Sequence, residues 1–231
     1  MRRKRIGIVA LVVAVTSALV ATSAPAFASD EHDRPRQTYR ITVENLTEGQ
    51  PLTPAVFATH RGRHGVFRPG RPASEGLQQL AENGGVPVLV DELSGRRGIG
   101  TVAVVGDAPI APGGSTTTTI VVADRYRRAT LAAMLVCTND GFAGRTLRLP
   151  KWIGDEKTVY ARAFDAGTEL NTEAYVDLVP PCDGMGGSGS TNPALAEGGV
   201  VHRHEGIEGR GDLDPEVHGW DGPVAKITIE R

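Results

Sequence analysis

Two short acidic turn sequences are the part of this chain whose residue types could do chemistry. Residues 139–141 read Asn-Asp-Gly and residues 165–168 read Asp-Ala-Gly-Thr, and each follows a run that favours a β-strand. Calcium is a hard cation that takes six to eight oxygen ligands at about 2.3 to 2.6 Å, so loops that each bring a carboxylate to one point could hold it. If the preceding strands are neighbours, Asp140 and Asp165 emerge at one sheet edge, where a divalent ion would relieve their mutual repulsion.

A purely structural role is the alternative for each aspartate. A lone aspartate in a turn more often accepts a hydrogen bond from a backbone N–H two residues further on, which stabilises the turn itself. The choice between the two roles therefore depends on whether the fold brings the two carboxylates together.

Short alternating segments separated by Gly and Pro favour an all-β fold. The chain has 29 Gly and 15 Pro, and they are scattered between apolar runs. Residues 38–46 alternate apolar and polar side chains with the period of two that marks a half-buried strand. Residues 224–230 repeat this pattern near the other end of the chain, and we expect the two segments to be counterparts. Further strands are predicted at residues 101–105, 116–123, 130–138 and 158–164.

One or two short helices are predicted beside these strands. Residues 75–83 have one apolar face, with Ser74 as a possible N-cap and two glycines as the stop. Residues 87–93 predict another turn or two of helix. Residues 129–136 could also form a helix because they are rich in Leu, Ala and Met, but the β-rich flanking sequence favours a buried strand.

The N-terminus has the pattern of an export signal. A cluster of four basic residues at positions 2–5 precedes an apolar run at 6–20, and Ala-Phe-Ala at 26–28 matches a signal-peptidase site. We therefore predict a signal peptide at residues 1–28, a disordered polar segment at 29–37 and one domain at 38–231. An uncleaved membrane anchor is the alternative, and the choice between the general and the twin-arginine export route stays open.

The predicted location is secreted or on the exterior of the cell envelope, with no transmembrane segment after cleavage. The full chain carries 25 Lys and Arg against 27 Asp and Glu, a net charge of −2, and loss of the signal peptide removes four basic and no acidic side chains. The mature chain is therefore mildly acidic, which gives no support for a nucleic-acid partner. The arginine-rich residues 125–128 are interpreted as a solvated strand edge or turn, with a polyanion contact as the alternative.

The only two cysteines, Cys137 and Cys182, make one disulfide plausible in an oxidising compartment. Two free buried thiols are the alternative, because sequence does not show that the two residues approach each other. Cys182 lies within residues 180–199, a Gly-rich stretch that predicts a flexible surface loop.

Five segments of the chain resemble the spondin-type domain family. The two more specific ones are Pro-Ala-Ser-Glu-Gly at residues 72–76 and Asp-Ala-Gly-Thr-Glu at residues 165–169. The others are residues 52–60, 80–84 and 137–144, and the resemblance spans about residues 38–230. It implies a C2-like antiparallel β-sandwich, exported from the cell, with a calcium ion held by acidic loop residues at one end. No thrombospondin-type repeats follow, so the chain resembles the stand-alone bacterial form, with a role in binding or adhesion.

Three aspartates match the calcium ligands that this resemblance implies. Asp140 and Asp165 match directly, and Asp124 matches more loosely through its place before two arginines and a strand. The sequence departs from the family pattern at Gly141, where Trp is frequent, and at Thr146, where a second Asp is frequent. The partner, an unknown extracellular or envelope ligand, is not specified by the resemblance.

The sequence offers little support for an enzyme. His202 and His204, with His218 downstream, could bind a transition metal in an exported hydrolase, but no spacing fixes a third ligand, and solvent-facing histidines are the simpler interpretation. The same caution applies to His60 and His64, and for His60 a structural hydrogen bond is a simpler interpretation than catalysis. No Gly-x-Ser-x-Gly elbow is present, and aromatic residues make up only 5% of the chain, few for a sugar-binding cleft. We therefore predict a binding module without catalysis, with the hydrolase as the alternative.

Overall fold

A computed structural model describes residues 35–62, 65–180, 182 and 191–231. These residues belong to one compact unit, Arg34–Arg231. The predicted signal peptide, most of the predicted disordered segment and His64 lie outside the described residues.

The described residues form nine β-strands, three α-helices and short 3₁₀ turns. The strands are β1 (Arg36–Asn45), β2 (Ala55–His60), β3 (Ile99–Val105), β4 (Ser115–Ala123), β5 (Arg128–Met134), β6 (Gly141–Arg148), β7 (Glu156–Asp165), β8 (His202–Arg203) and β9 (Ala225–Glu230). The helices are α1 (Glu75–Asn83), α2 (Val86–Leu93) and α3 (Pro215–His218), and the 3₁₀ turns include Tyr175–Asp177 and Pro193–Leu195.

The strands form one antiparallel sheet folded into two layers, so the prediction of an all-β sandwich is confirmed. The strand order is β3-β2-β5-β6-β7-β9-β1-β4, and β8 pairs with β7. The long strand β7 connects the layers, because its first half pairs with β9 and its second half with β6 and β8. The two outer strands also approach each other: the Thr101 hydroxyl of β3 donates to the Val121 carbonyl of β4 at 3.0 Å. The sheet is therefore nearly closed.

The main core fills the space between the layers. Tyr39, Ile41 and Val43 of β1 face Leu131 of β5 and their neighbours across this core, and all are buried. The alternation predicted for the first strand is thus the alternation between core and solvent. The two terminal strands pair as expected, with Val43 opposite Ile227.

A second core lies on the outer face of the layer that contains β2, β5 and β6. Helices α1 and α2 cover one half of that face, and their leucines pack on Val56, Ala58, Ala132 and Phe142. The bounds predicted for α1 are confirmed: the Ser74 hydroxyl caps its N-terminus, and Gly84 ends it in the left-handed conformation. The second predicted helix is α2, and α3 adds a third helix of four residues.

The ends of β1 and β5 differ from the predictions, and one predicted alternative is wrong. Strand β1 begins at Arg36, so the last two residues of the segment expected to be disordered are paired with β4. Strand β5 ends at Met134 rather than at residue 138, because the chain turns there toward β6. The helical alternative for residues 129–136 is wrong, since β5 is hydrogen-bonded on both sides.

A disulfide joins Cys137 to Cys182, as predicted, with a Cα–Cα distance of 5.3 Å. It fixes the turn between β5 and β6 to the segment after the 3₁₀ turn Tyr175–Asp177. Among the described residues, no helix has the length and apolar character to cross a membrane.

Candidate metal centre

The turn between β5 and β6 and the end of β7 meet at one end of the sandwich. Gly141, the first residue of β6, lies directly opposite Asp165, the last residue of β7. Asp140 therefore emerges beside Asp165, as expected if the two preceding strands were neighbours. The Thr138 side chain fixes the turn, because its hydroxyl accepts from the Gly141 N–H at 2.8 Å and donates to the Leu135 carbonyl at 2.6 Å.

Asp140 is fully buried, and only one of its two carboxylate oxygens has a hydrogen-bond partner. Its Oδ2 accepts from the backbone N–H groups of Thr168 at 2.7 Å and Glu169 at 3.1 Å, and from the Thr168 hydroxyl at 3.2 Å. Its Oδ1 is buried without a hydrogen-bond partner among the described residues. A buried carboxylate oxygen that lacks a donor is costly unless a cation or water compensates it.

Asp165 is also almost fully buried, and its contacts hold its carboxylate in place. The Gly167 N–H donates to Oδ1 at 2.7 Å, and the Asn171 side-chain amide donates to Oδ2 at 2.7 Å. The bond from the Gly167 N–H is the turn-stabilising contact that the sequence offers as the alternative role of Asp165. Each oxygen keeps a further lone pair, so this bond does not exclude metal coordination.

Glu197 completes a group of three carboxylates. One oxygen from each of Asp140, Asp165 and Glu197 lies within 4.8 Å of the other two. Two oxygens bound to one calcium ion at about 2.4 Å can be at most about 4.8 Å apart, so this spacing suits a shared ion. Glu197 is exposed, whereas both aspartates are buried.

The backbone places Glu197 beside the aspartates by pairing its segment with the loop that follows β7. The Glu197 N–H donates to the Thr168 carbonyl at 3.1 Å, and the Gly199 N–H donates to the Gly167 carbonyl at 2.7 Å. Glu197 was not predicted as a ligand from the sequence. It lies in the stretch predicted to be a flexible loop, and no motif or periodicity distinguishes it from other exposed glutamates.

The electrostatics of this end of the sandwich favour a cation. Burial, and then the charge of Asp165, raise the pKa of Asp140 to about 7, although the hydrogen bonds from Thr168 and Glu169 act in the opposite direction. Burial and the nearby Glu82 also raise the pKa of Glu169 to about 7. A bound divalent cation would compensate these buried negative charges.

The structure does not bring Asp124 to this group. Asp124 follows β4, and its N–H donates to the carbonyl of Pro35, directly before β1. Asp124 precedes the start of β5, whereas Asp140 follows its end. The strand between them spans about 20 Å, at about 3.3 Å per residue. Its carboxylate pairs instead with Arg127 at 2.8 Å. The three-aspartate ligand set is therefore not formed, and Glu197 stands where Asp124 was expected.

The two departures from the family pattern have different structural explanations. A Cβ atom at Gly141 would collide with the Thr138 side chain and approach His204 to 3.0 Å, so no larger residue fits this turn as it is built. Thr146 lies at the far end of β6 opposite Thr130, and their hydroxyls are 2.9 Å apart. An aspartate at position 146, which is frequent in the family, would therefore lie too far from the three carboxylates to contribute a ligand.

The described histidines do not form a metal cluster of their own. His202 is exposed, and its Nδ1–H donates to the Val200 carbonyl at 2.9 Å, while the same atom lies 3.6 Å from Asp165 Oδ1. His204 is buried against Trp220, and its Nδ1 accepts from the Gly206 N–H at 3.0 Å. Desolvation lowers the pKa of His204. In the described part of the chain, the one group of three potential metal ligands contains neither histidine.

His218 and His60 have structural contacts. The His218 N–H donates to the Asp214 carbonyl at 2.7 Å and so closes the turn of α3. His60 Nε2 lies 2.9 Å from the Thr130 hydroxyl on the outer face of the sheet.

Comparison of the chain with models of known protein families found no match, and comparison with curated proteins found no similar protein.

Proposed function

We propose that this chain is an exported calcium-binding β-sandwich module that acts by binding, not by catalysis. The observation that carries the proposal is at Asp140, whose buried Oδ1 has no hydrogen-bond partner among the described residues and whose carboxylate belongs to a group of three. A cation held by this group would compensate both the unpaired oxygen and the repulsion between Asp140 and Asp165.

The ligand chemistry favours calcium over a transition metal. All three side chains offer carboxylate oxygens, which are the preferred ligands of hard cations, and no cysteine or histidine belongs to the group. Glu197 is exposed, so water can complete the coordination from the solvent side. Zinc would favour nitrogen or sulfur ligands at tetrahedral spacing.

The position of the group favours an organising role for the ion. Its ligands come from three separate segments: the turn before β6, the end of β7, and the segment that pairs with the loop after β7. An ion bound there would join these segments at one end of the sandwich. Leu170, Val176 and Val200 lie on the same segments or near them and are 49%, 72% and 41% exposed. Exposed apolar residues beside loops that an ion holds in place suit a surface that binds an extracellular or envelope ligand.

The disulfide supports a location outside the cytoplasm. Disulfides persist in secreted and envelope proteins and are rare where thiols are kept reduced. Together with the export-signal pattern of residues 1–28, this favours a protein that works in an oxidising compartment.

Thermal unfolding of the metal-free protein with and without calcium tests the proposal. We expect calcium to raise the melting temperature, because an ion that binds only the folded state stabilises it by mass action. Asp165→Ala should abolish the increase, whereas Asp124→Asn, at the opposite end of the sandwich, should retain it. An equal shift with zinc that depends on His202 and His204 would favour the hydrolase instead, and no shift with any divalent cation would overturn the proposal.

A further inference from the structure

Three basic side chains form a row across the outer face of the sheet, at the end opposite to the three carboxylates. His60 of β2 pairs with Arg128 of β5, and Arg128 pairs with Arg148 of β6. Residues directly opposite each other on adjacent antiparallel strands point to the same side of the sheet. Helices α1 and α2 pack on another part of this face, and His60 and Arg128 of the row line a cavity beside them.

This cavity has a volume of about 280 Å³ and lies between the sheet and the segment after β2. Arg128 and Thr146 line it from the sheet, and Phe67 and Arg68 line it from the segment after β2. Within this segment, Phe67 is held on the sheet, because its ring packs on Phe142 with 5.0 Å between the ring centroids. The cavity is slightly smaller than a typical ligand pocket, which starts at about 300 Å³, so it suits a small molecule.

Among the described residues, the walls of the cavity carry positive charge without a counter-ion. No described aspartate or glutamate lines it, and Arg68, Arg128 and Arg148 make no ion pair with another described residue. The Nε of Arg128 is buried and has no hydrogen-bond acceptor among the described residues. Like charges directly opposite each other on paired strands destabilise a sheet, so an anion that neutralises Arg128 in the cavity would also relieve its repulsion with Arg148.

The donors around the cavity fit a tetrahedral oxyanion. Guanidinium groups present parallel N–H donors that match phosphate and sulfate oxygens, and arginine is the preferred residue for such recognition. The hydroxyls of Thr130 and Thr146 are 2.9 Å apart, and Thr146 can offer a further donor to the cavity. A second cavity, of about 200 Å³, shares Arg68 and adds Arg71 and Arg96, which extends the basic surface.

We propose that this cavity binds a phosphate or sulfate group, through Arg68 and Arg128 with support from Thr146. Arg128 is the last residue of the arginine-rich stretch 125–128, and the fold directs this residue onto the outer face of the sheet. The site is independent of the proposed calcium centre, because the two lie at opposite ends of β5.

Amide NMR spectra of the isotope-labelled protein in calcium-free buffer test this proposal. Inorganic phosphate, inorganic sulfate and glucose 6-phosphate are titrated separately, each against sodium chloride at the same ionic strength. We expect saturable shifts at the amides of Gly65, Phe67 and Thr146. Arg68→Gln and Arg128→Gln should each weaken binding at least tenfold, because each removes charge-assisted hydrogen bonds. Arg40→Gln, the same charge change on the other layer of the sandwich, should leave binding unchanged.

The use of two single variants controls for the possibility that one of them weakens binding by unfolding the protein. Arg68 is exposed and Arg128 is half-buried, so Arg68→Gln remains informative if Arg128→Gln unfolds.

Binding of glucose 6-phosphate at least tenfold tighter than inorganic phosphate would identify a phosphate ester as the ligand, and equal affinities would identify the free oxyanion. Shifts no larger than those with chloride, or shifts that persist in the Arg68→Gln/Arg128→Gln double variant, would overturn the proposal.

Discussion

Asp140 and Asp165 lie side by side at the ends of paired strands. Each of their carboxylate oxygens accepts a hydrogen bond from a described residue except Oδ1 of Asp140. The donors come from the loop after β7, so this loop holds both carboxylates together against their repulsion. A structure that places two buried carboxylates together and leaves one oxygen unpaired has the arrangement that a cation would complete.

Glu197→Gln should weaken calcium binding without affecting the fold. The side chain is exposed, so its charge contributes little to the stability of the metal-free protein, but it supplies one of three anionic ligands. We expect about a tenfold increase in the calcium dissociation constant, the order of effect of losing one charged contact near the protein surface. Glu216→Gln, another exposed glutamate outside the group, is the matched control. Equal affinities for the two variants in calcium titrations would contradict the assignment of Glu197.

The stability of the metal-free protein should fall as pH rises from about 5 to about 8. Asp140 has a pKa of about 7 in the folded chain against an ordinary value of 3.8, so the folded state keeps a proton that the unfolded state has lost. The stabilisation from this proton is complete below pH 3.8 and is lost as pH rises through about 7. Glu169, with a pKa of about 7, acts in the same direction.

Urea denaturation at several pH values measures this effect. Asp140→Asn should reduce the pH slope but not remove it, because Glu169 remains. Saturating calcium should also flatten the slope, since the ion replaces the proton on Asp140 and binds more tightly as the pH rises. A metal-free protein whose stability rises with pH over this window would contradict the account.

Gly167→Ala should damage both the fold and the site. Gly167 has φ +69°, and an added Cβ would lie 2.5 Å from the backbone nitrogen of Val200. Strain and collision together should cost about 2 to 4 kcal/mol in the free energy of unfolding. The change should also weaken calcium binding, because the Gly167 N–H holds Asp165.

Gly154→Ala separates backbone strain from the collision. Gly154 has φ +85°, but an added Cβ there has no neighbour within 4 Å. It should cost only about 1 to 2 kcal/mol and leave calcium affinity unchanged. Similar losses of affinity in the two variants would show that the geometry around Gly167 is not what matters for the site.

Removal of the disulfide by Cys137→Ser with Cys182→Ser should lower the free energy of unfolding by about 4 kcal/mol, from the entropy of closing the loop. The bond joins residues 45 positions apart. Cys137 also lies in the turn that carries Asp140, so the double variant should bind calcium more weakly than the oxidised protein. Denaturation in urea and calcium titration of the two proteins check these effects, and unchanged affinity would show that the turn is held without the bond.

Much of the fold was predictable because several strands alternate in polarity along their length. Strands β1 and β9 face the core on one side and solvent on the other, so their period of two is visible in the sequence. Strand β2 was not predicted because all six of its residues are buried: the main core covers one face and the helices cover the other. Strand β6 was not predicted either, since it contains two glycines and lacks a clear alternation over its first half.

The site residues were predictable only where an acidic turn sequence directly follows a predicted strand. Asp140 and Asp165 stand in turn sequences directly at strand ends, and the pairing of β6 with β7 brings them together. Glu197 reaches the same point through backbone pairing with the loop after β7, a contact that leaves no pattern in the sequence. Asp124 has the right residue type but lies at the wrong end of β5, because β4 and β5 connect at the end opposite to the turn that carries Asp140.

Calorimetric titration of the metal-free protein with calcium is the most direct test of the central claim. We expect one site per chain with a dissociation constant of about 10⁻⁴ to 10⁻³ M, the range of extracellular calcium modules. Asp140→Asn should lose the site and Asp124→Asn should keep it. Absence of saturable binding, or binding that Asp140→Asn leaves intact, would contradict the account.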